Sequence, residues 1–426
     1  MKKIRLPFNN MTRDSWINLA LAAVITFYII QIGFFFFEGT ICKDYAFDYC
    51  LYWSVGNLSN KYGFKEIYDI ELVRKIQLEI FPFDPGQSDN FAGSPVGYFP
   101  IFMLPFTALS IFNLPFSYLL WTLLNLIGLI LYLRFFTRKL FGDPLPNRLL
   151  LIFMLSLPVF VNFQEGQVNI LLLICVGEFL RMLLSEKPFI AGLWLGVLLL
   201  KFVLLILIIP FFLIQREKKT LLGIFSFSFI IILASICLVG LEGMLALKNL
   251  FLGYVSGSPF NNVWAMINWR MVGWHASSIS SSTLGWGITL IGTLTTAGLT
   301  FFFFRKWEKA DPIKTTITLL GIFAATCVVS WHAHLHMSMI LIPPMVYLIM
   351  KNRFNKNLFA AWVLIPVMVE LIGIIIAFFL QMGNSFQLSF QILTLARGLP
   401  GFILNLLLLS WAVNNIYSTR KKIKNS

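Results

Sequence analysis

Charged residues are scarce in this chain. Asp, Glu, Lys and Arg make up only 12% of its 426 residues, whereas 58% are hydrophobic. Soluble domains carry about twice that share of charge, and a soluble core of this size does not need so many apolar runs. The shortage of charge, together with a mean hydropathy of +0.80, excludes a soluble protein and predicts a protein of the lipid bilayer.

A basic domain is also missing, although the net charge is +14. The Lys and Arg residues occur in short clusters between apolar runs, where they cannot hold a nucleic-acid duplex. Such clusters are typical of cytoplasmic loops, which carry an excess of Lys and Arg in membrane proteins. We therefore expect no nucleic-acid partner.

A cleavable signal sequence is not evident, because the apolar run after MKKIRLPFNN is too long and lacks a small-residue cleavage site. The first helix is expected to stay as an anchor. Cysteine is scarce, with five residues. Cys175, Cys237 and Cys327 lie in apolar runs and are expected to be core residues. Cys42 and Cys50 form a disulfide if their polar segment faces an oxidising compartment, and otherwise stay unpaired.

About twelve apolar runs are long enough, or nearly long enough, to cross a bilayer. Because several are shorter than the ~20 residues of a full span, they predict a bundle with cavities and broken spans. We expect an all-α polytopic membrane protein that forms one domain over residues 1–426. No internal repeat is evident, which disfavours a transporter built from inverted halves. The runs are Trp16–Phe37, Tyr98–Phe112, Ser117–Phe136, Leu149–Phe163, Val168–Leu184, Phe189–Ile214, Leu221–Leu241, Thr283–Phe304, Thr315–Ser330, Met337–Met350, Leu358–Leu380 and Leu388–Val413.

The basic clusters predict the orientation of the bundle. An even number of spans with both chain ends in the cytoplasm places most clusters inside. It leaves two large segments outside, Glu38–Pro95 and Glu242–Ser282, together with the WHAHLH run. One cluster disagrees, because Arg134–Arg148 falls outside by this count. Either one short run does not cross, or this loop breaks the rule. The clusters placed inside are MKKIR, Gln215–Thr220, Arg305–Lys309, Lys351–Lys356 and the terminal TRKKIKNS.

The segment Glu38–Pro95 is the least membrane-like part of the chain. Asp48–Asn60 and Asp69–Ile80 each have one apolar and one polar face, which predicts amphipathic helices lying on the membrane interface. The following FPFDPGQSDNFAGSP is typical of loops and turns.

Two aspartates lie just past the first helix, in KDYAFDYCLYW. Asp44 and Asp48 are four residues apart and would share one face of a helix. They can cap a helix start, or they can supply the base of an enzyme that acts on a lipid-linked substrate.

The WHAHLH run holds His332, His334 and His336, three of the four histidines in the chain. They could bind a phosphate. A metal site would need a carboxylate or another ligand that the sequence does not place nearby.

Polar residues elsewhere add candidates for an interior cavity. Arg270, with Asn268 and His275, lies in MINWRMVGWHASS, and the planar fork of Arg is suited to a phosphate or to lipid headgroups. Lys201 lies in the middle of an apolar run, where a charge costs ~2.5–3.5 kcal/mol on insertion scales. It should therefore face a polar cavity or a partner. Buried polar residues of the same kind are Glu165, Gln167, Glu370 and Arg397.

Five stretches follow one another between about Asp48 and His336. They are FDYCLYWSVGNLSNKYGFKEIYD, YFPIFMLPFTALSIFNLPFSYLLWTLLN, PVFVNFQEGQVNILLL, AGLWLGVLLLKFVLLILIIPFFLI and MINWR. This ordered set resembles the polyprenyl-phosphate-mannose-dependent mannosyltransferases of glycosyltransferase family 87. The resemblance implies a GT-C-like bundle with a large first extracytoplasmic loop that carries juxtamembrane helices. It also implies a polyprenyl-phosphate sugar donor and an aspartate base in that loop.

The pattern of the family places the base at Asp48, with the aromatic Tyr52 four residues later and Asp44 as the second candidate. It places donor-phosphate ligands at Arg270 and Lys201, although this chain has Phe202 where the family usually has proline. The histidine run is richer than the pattern requires. His334 and His336 are expected to bind the phosphate, with His332 as a further candidate.

We therefore expect a glycosyltransferase of the cell membrane that moves a sugar, expected to be mannose, from a polyprenyl phosphate to a hydroxyl acceptor. The acceptor is a glycolipid, a glycan or another hydroxyl compound on the extracytoplasmic face. Asp48 is the base of an inverting displacement, and no metal or other cofactor is expected. Two other classes stay open. A transporter or flippase would use the buried charges but not the outer segment, and a membrane-assembly protein would need neither.

Overall fold

The computed structural model describes residues 13–43, 45–80, 96–255, 263–383 and 385–424. Most of these residues are helical, and within these ranges no strand forms beyond two isolated β-bridges, Ile41 with Tyr45 and Met266 with His334. Helices satisfy every backbone polar group inside one segment, which an apolar surrounding requires. The prediction of an all-α polytopic protein is confirmed.

Three short helices after α1 form a cluster of their own. Helices form at both segments predicted to be amphipathic, as α2 and α3. α3 buries one face through Val73, Ile76 and Gln77, whereas α2 is buried on most of its sides, so the polar face predicted for it is not exposed. Their position on the membrane interface stays a prediction, and the loop predicted over residues 81–95 lies outside the described residues. α4 packs closely on α2, because Gly56 leaves room for the backbone of Phe106. The Ser59 and Thr107 hydroxyls lie 2.8 Å apart across the same contact. The elements are α1 (Arg13–Phe37), α2 (Phe47–Tyr62), α3 (Ile70–Ile80) and α4 (Leu104–Leu109), which continues the 3₁₀ turn Pro100–Met103.

The rest of the chain forms the main bundle, and side chains define several of its helix starts. Asn113, Ser281, Asp311 and Asn355 each accept a backbone N–H from the first turn of the helix that follows. The helices are α5 (Leu114–Phe141), α6 (Asn147–Met154), α7 (Leu157–Glu165), α8 (Asn169–Leu184), α9 (Pro188–Gly196), α10 (Ile208–Ile214), α11 (Lys218–Val255), α12 (Trp269–Ile279), α13 (Ser282–Phe304), α14 (Pro312–Val329), α15 (Ile342–Met350), α16 (Lys356–Met382) and α17 (Phe386–Lys424).

Each predicted apolar run contains helix, but the runs differ in length. In the described part of the chain, eight helices are long and apolar enough to cross a membrane, or nine if α6 and α7, bent by 57°, form one broken span. Pro100–Leu109 and Leu335–Met350 are shorter apolar helices, and α8 has 16 residues. Short and broken spans were expected from the sequence, and the structure contains them.

The apolar run Phe189–Ile214 turns back instead of passing through the bundle, although its first part is long enough to span. Its start lies against the start of α11, because Gly192 leaves room for the backbone of Thr220. The run ends shortly before α11 begins. Between these points the helix breaks at Lys201, whose φ of −127° and ψ of 66° are not helical. α9 and α10 therefore form a re-entrant pair with Lys201 at its tip.

Contacts made by residues of the basic clusters define one end of the bundle, here called the basic end. Arg148 donates to Asn18 near the start of α1 at 3.1 Å. Lys351 lies over the ring of Phe141 at 5.2 Å. The loop Arg134–Arg148 therefore lies at the same end as Lys351 and the start of α1.

This placement decides between the two alternatives left by the sequence. The run Tyr98–Phe112 ends in α4, which packs on α2, and the run Phe189–Ile214 is re-entrant. The start of α11 belongs to the basic end as well, since Lys309 pairs with Glu217. The structure thus favours the alternative that a short run does not cross the membrane. Arg134–Arg148 then lies at the same end of the bundle as the other basic loops.

Two of the three predicted core cysteines are confirmed, and the structure decides the alternative left open for Cys42 and Cys50. Cys42 and Cys50 are joined by a disulfide. Cys175 and Cys327 are buried, whereas Cys237 is exposed on α11, so its assignment to the core was wrong. An exposed apolar side chain on a long apolar helix suits a surface that faces lipid tails rather than other helices.

Candidate active site

Asp48 lies in the first turn of α2, at the end of the molecule opposite the basic end. Two constraints define that turn. The disulfide joins Cys50 of α2 to Cys42 in the preceding loop, and Ala46, with a φ of 60°, donates its backbone N–H to the carbonyl of Gln164 at 2.7 Å. Because Gln164 belongs to α7, the start of α2 is tied to the main bundle.

A chain of hydrogen bonds joins Asp48 to the tip of the re-entrant pair. Gln167 donates its amide N–H to Oδ2 of Asp48. Lys201 Nζ donates to the side-chain oxygens of Gln167 and Asn169, both at 3.0 Å. Asn169 in turn donates to the side chain of Asn162 at 3.0 Å. The break in the helix at Lys201 is what allows its side chain to reach these amides.

The carboxyl group of Asp48 is held between opposing influences. Burial raises the pKa of Asp48 above its ordinary value, because water no longer stabilises the charged form. The hydrogen bond from Gln167 and the positive charge of Lys201 act in the other direction and lower the pKa of Asp48. A carboxylate with a raised pKa that is still oriented by a donor is suited to accept a proton.

The histidine run is attached to the loop that precedes α12. Ile267 donates its backbone N–H to the carbonyl of Ala333 at 2.8 Å, beside the β-bridge between Met266 and His334. Asn268 strengthens the attachment, since its side chain donates to the carbonyl of Ser330 at 2.8 Å. The two loops are therefore fixed to each other.

Asn268 also begins α12 and so determines where Arg270 lies. Its side-chain oxygen accepts the backbone N–H of Met271 at 3.0 Å, which is the geometry of a helix N-cap. Arg270 is buried in the first turn of α12, with its guanidinium 4.3 Å from the ring centre of Trp331. The side chain of Asn268 thus fixes the position of Arg270 relative to the histidine run.

The three predicted histidines lie side by side and close to two cations. The ring centres of His332 and His334 are 4.8 Å apart, and those of His334 and His336 are 5.7 Å apart. Burial, together with the positive charge of Lys201, lowers the pKa of His334 to about 4. Burial also lowers the pKa of His332, with contributions from His334, Lys201 and Arg270. Both effects favour the neutral form of the imidazole at these two positions.

Lys201 therefore connects the two halves of the site. It is bonded to the amide that holds Asp48, and its charge acts on both His332 and His334. The carboxylate side and the cationic side face one polar region at the same end of the bundle. The predicted candidates Asp48, Gln167, Lys201 and the histidine run come together there.

A second group of charges borders this region. Arg397 of α17 donates to Glu370 of α16 at 3.0 Å and to the side chain of Gln164 at 3.2 Å. It lies 3.7 Å from Glu165. The sequence placed Arg397, Glu370 and Glu165 in an interior cavity without assigning pairs, and the structure supplies them. Glu165 is close enough for its charge to interact with that of Asp48.

The remaining predicted residues have other positions. Tyr52 lies one turn after Asp48 on α2, with its hydroxyl 3.4 Å from that of Tyr98 and its ring 4.9 Å from that of Phe106. His275 is five positions beyond Arg270 on α12, on a different face of that helix. Its ring bonds to the carbonyl of Trp264 at 3.1 Å. Asp44 lies outside the described residues.

Two residues of the site were missed by sequence reasoning. Asn169 is an acceptor for Lys201, and Trp331 carries the Arg270 guanidinium on its ring. Both had a signal. Asn169 ends the polar stretch NFQEGQVN between two short apolar runs. Trp331 is the first residue of WHAHLH, directly before the candidate histidines.

Metal ligands and cavities add nothing further to this site. Within the described ranges, no group of three or more His, Cys, Asp and Glu side chains is placed to hold a metal ion. A cavity of about 750 Å³ lies along α12 and α13, lined by residues that include Trp269, Leu284, Ile288 and Ile291. These α13 residues are on the side of the helix opposite Trp286, which faces Trp331. The cavity is therefore distinct from the polar region.

Long apolar helices around a buried carboxylate and a cationic cluster define a membrane protein with an enzyme-like site. The family model of glycosyltransferase family 87 matches residues 97–330, more than half of the chain. The chain belongs to this family and is a membrane glycosyltransferase. The matched range includes Gln167, Lys201 and Arg270. The histidine run begins directly after it, whereas Asp48 lies well before its start. No curated protein and no solved structure matches the chain.

Proposed function

We propose that this glycosyltransferase has a GT-C-like fold and transfers mannose from a polyprenyl phosphate to a hydroxyl acceptor on the extracytoplasmic face of the cell membrane. The observation that carries the proposal is the position of Lys201 between Asp48 and the histidine run. A base and a cationic anion-binding cluster are the two parts that displacement of a phosphate from a sugar requires.

In the proposed reaction, Asp48 accepts the proton of the acceptor hydroxyl. The acceptor oxygen forms a bond to the anomeric carbon, and the bond from that carbon to the phosphate oxygen breaks. The lipid phosphate leaves with the electron pair, so the displacement is single and inverts the configuration. A positioned base of this kind contributes roughly 10²–10⁴-fold to a rate.

The leaving phosphate gains negative charge as the bond breaks. Arg270 offers a planar fork that bonds two phosphate oxygens, and His334 and His336 offer ring N–H groups. Lys201 adds a positive charge next to His334. These groups can neutralise a monophosphate without a divalent cation, so the proposed mechanism uses no metal and no other cofactor.

The orientation rests on two observations. The described basic residues Arg148, Lys309 and Lys351 lie at the end opposite Asp48. Lys- and Arg-rich loops favour the cytoplasm. The disulfide between Cys42 and Cys50 lies next to Asp48, and disulfides persist in oxidising compartments outside the cytosol. Both support an extracytoplasmic site.

Transport of a lipid-linked sugar is the main alternative proposal. It does not explain why Asp48 is oriented by Gln167 and by a disulfide-linked helix turn. It also does not explain the paired state of the interior charges Arg397 and Glu370, since a transport pathway needs charges that its substrate can meet.

The test is a transfer assay with purified protein in detergent and polyprenyl-phosphate [³H]mannose, with a short mannoside or a lipid extract as acceptor. We expect labelled product of inverted configuration from the wild type and none from Asp48→Asn. Polyprenyl-phosphate glucose tests the choice of sugar. Release of lipid phosphate without sugar transfer, or equal activity of Asp48→Asn, would reject the mechanism.

Orientation is tested by labelling in intact cells. Lys61 is exposed in the last turn of α2, whereas Asn355 caps α16 near Lys351. In a background without Cys175, Cys237 and Cys327, a cysteine at Lys61 should react with an impermeant maleimide. A cysteine at Asn355 should react only after permeabilisation. The reverse pattern would move the site to the cytoplasmic face.

A further inference from the structure

Three neighbouring side chains at the donor side of the site carry buried nitrogen atoms without a partner. Among the residues that the structure describes, nothing hydrogen bonds to Nη1 of Arg270, Nε1 of Trp331 or Nδ1 of His332. Arg270 is only 9% exposed. Buried polar atoms are normally bonded, and each exception calls for an explanation. Three exceptions in one place point to a ligand that they share.

The three groups are held together by direct contacts. The Arg270 guanidinium lies 4.3 Å from the ring centre of Trp331, and His332 follows Trp331 in the chain. The charge of Arg270 reaches the ring of His332. An indole N–H can only donate a hydrogen bond, and the same is true of a guanidinium. The ligand that suits them is therefore an acceptor with several oxygens and negative charge.

The ring of Trp331 is itself supported from the outer surface of the bundle. It stacks on Trp286 with ring centres 5.8 Å apart and planes 20° apart. Trp286 belongs to the long apolar helix α13 and is 57% exposed. The row Trp286–Trp331–Arg270 thus leads from a surface that suits lipid to a buried cation. A phosphate attached to a lipid would reach Arg270 along this row.

We propose that Trp331 is a binding residue for the donor's lipid monophosphate, donating its indole N–H to a phosphate oxygen while its ring holds the Arg270 guanidinium in plane. This inference rests on the proposed function, because it takes the donor to be a polyprenyl phosphate. It adds a tryptophan, which the sequence analysis did not select as a candidate, to the residues that bind the phosphate. It also explains why no carboxylate among the described residues pairs with Arg270, since a carboxylate would compete with the phosphate.

The probe is dodecyl phosphate, whose binding to purified full-length protein is measured by titration calorimetry. Trp331→Phe keeps an aromatic ring under Arg270 but loses the N–H. We expect it to bind dodecyl phosphate about ten- to a hundredfold more weakly, the usual worth of a hydrogen bond to a charged group. Trp331→His restores a ring N–H and should recover part of the affinity. Inorganic phosphate at the same concentration should bind more weakly than dodecyl phosphate to the wild type.

Trp307→Phe is the matched control. Nε1 of Trp307 is likewise buried and unpartnered within the described ranges, but its ring packs on Phe211 and Phe212 at the basic end. It should bind dodecyl phosphate like the wild type. Wild-type affinity in Trp331→Phe, or an equal loss in Trp307→Phe, would overturn the proposal. If Trp331→Phe does not fold, Trp331→His must still bind more tightly than Trp331→Leu.

The two proposals fail in different ways. If the wild type binds dodecyl phosphate and Trp331→Phe does not, but no mannose is transferred, the assignment of Trp331 stands and the donor sugar is wrong. If mannose is transferred and Trp331→Phe binds the probe like the wild type, the reaction stands and the assignment of Trp331 is wrong.

Discussion

Replacing Gln167 by leucine would test how the proposed base is tuned. The amide of Gln167 donates to Asp48, and its oxygen accepts from Lys201 at 3.0 Å. Leucine has a similar size but forms neither bond. The carboxylate of Asp48 would then lose a hydrogen bond that lowers its pKa, while the burial that raises it stays. The variant should therefore have a higher pKa at Asp48 than the wild type.

The size of the change follows from the kind of bond. A hydrogen bond to a charged group is worth ~1.5–3 kcal/mol. The ionised form of Asp48 should lose about that much stabilisation, so the pKa of Asp48 should rise. Asp48 acts as a base only when it is ionised, so activity is lost as the pH falls through its pKa. With the pKa raised, this loss begins at higher pH.

The measurement is the pH dependence of kcat/KM for sugar transfer by purified protein. In Gln167→Leu the acidic limb should move to higher pH, with activity partly recovered in alkaline buffer. The matched control is Gln215→Leu, which removes an amide bonded to the Phe304 carbonyl at the basic end and should leave the limb in place. An unchanged limb in Gln167→Leu, or a move to lower pH, would refute the role of Gln167. A merely structural defect would lower activity equally at every pH.

Asp48→Asn should fold but lose transfer by roughly 10²–10⁴-fold, measured by initial rates, whereas Asp44→Asn should lose less. Opening the disulfide, by Cys42→Ser or by reduction, should lower the free energy of unfolding by ~2–3 kcal/mol, seen as a lower Tm, and should reduce transfer. Asn268→Asp keeps the acceptor that caps α12 but loses the donor to the Ser330 carbonyl, so the KM for the donor should rise by roughly 3–10-fold, and burying the new carboxylate should lower the Tm. Transfer should survive dialysis against EDTA.

Each of these expectations has a contrary outcome. Full activity of Asp48→Asn with an inactive Asp44→Asn would exchange the two roles. An active protein with both Cys42 and Cys50 replaced would separate the disulfide from catalysis. A wild-type KM in Asn268→Asp would contradict the role of Asn268 in fixing Arg270 beside the histidine run. Activity that EDTA removes and one metal ion restores would make the histidines metal ligands.

Several features of the fold could be predicted from the sequence because they depend on local patterns. Apolar periodicity identified α2 and α3, and every long apolar run proved helical. The two cysteines of the polar segment could be considered a pair because they flank Asp44 and Asp48 in a segment placed outside the cytoplasm. The number of spans was harder to predict, since hydropathy measures length and not direction. The run Phe189–Ile214 is apolar throughout except for Lys201, and only its contacts with α11 reveal that it turns back.

The site was predictable in its residue types and not in its connections. Asp48, Lys201 and Arg270 could be selected from chemistry and from the family resemblance. Their partners could not, because Gln167 and Lys201 are 34 positions apart, and Asp48 and Gln167 are 119 apart. Pairs at such separations are set by helix packing. The exposed position of Cys237 was missed for the same reason, since a lipid-facing helix surface and a core surface have the same composition.

The re-entrant pair of α9 and α10 has a consequence for how the nascent chain is inserted into the membrane. Lys201 must enter an apolar surrounding as the nascent chain is inserted, at a cost of ~2.5–3.5 kcal/mol if it is unpaired. Its two acceptors, Gln167 and Asn169, precede it in the chain by 34 and 32 positions, so they leave the ribosome first. The α7–α8 segment can therefore be in place when Lys201 arrives, so that Lys201 is paired as it is inserted. Insertion of Lys201 before α8 would leave its charge unpaired in lipid.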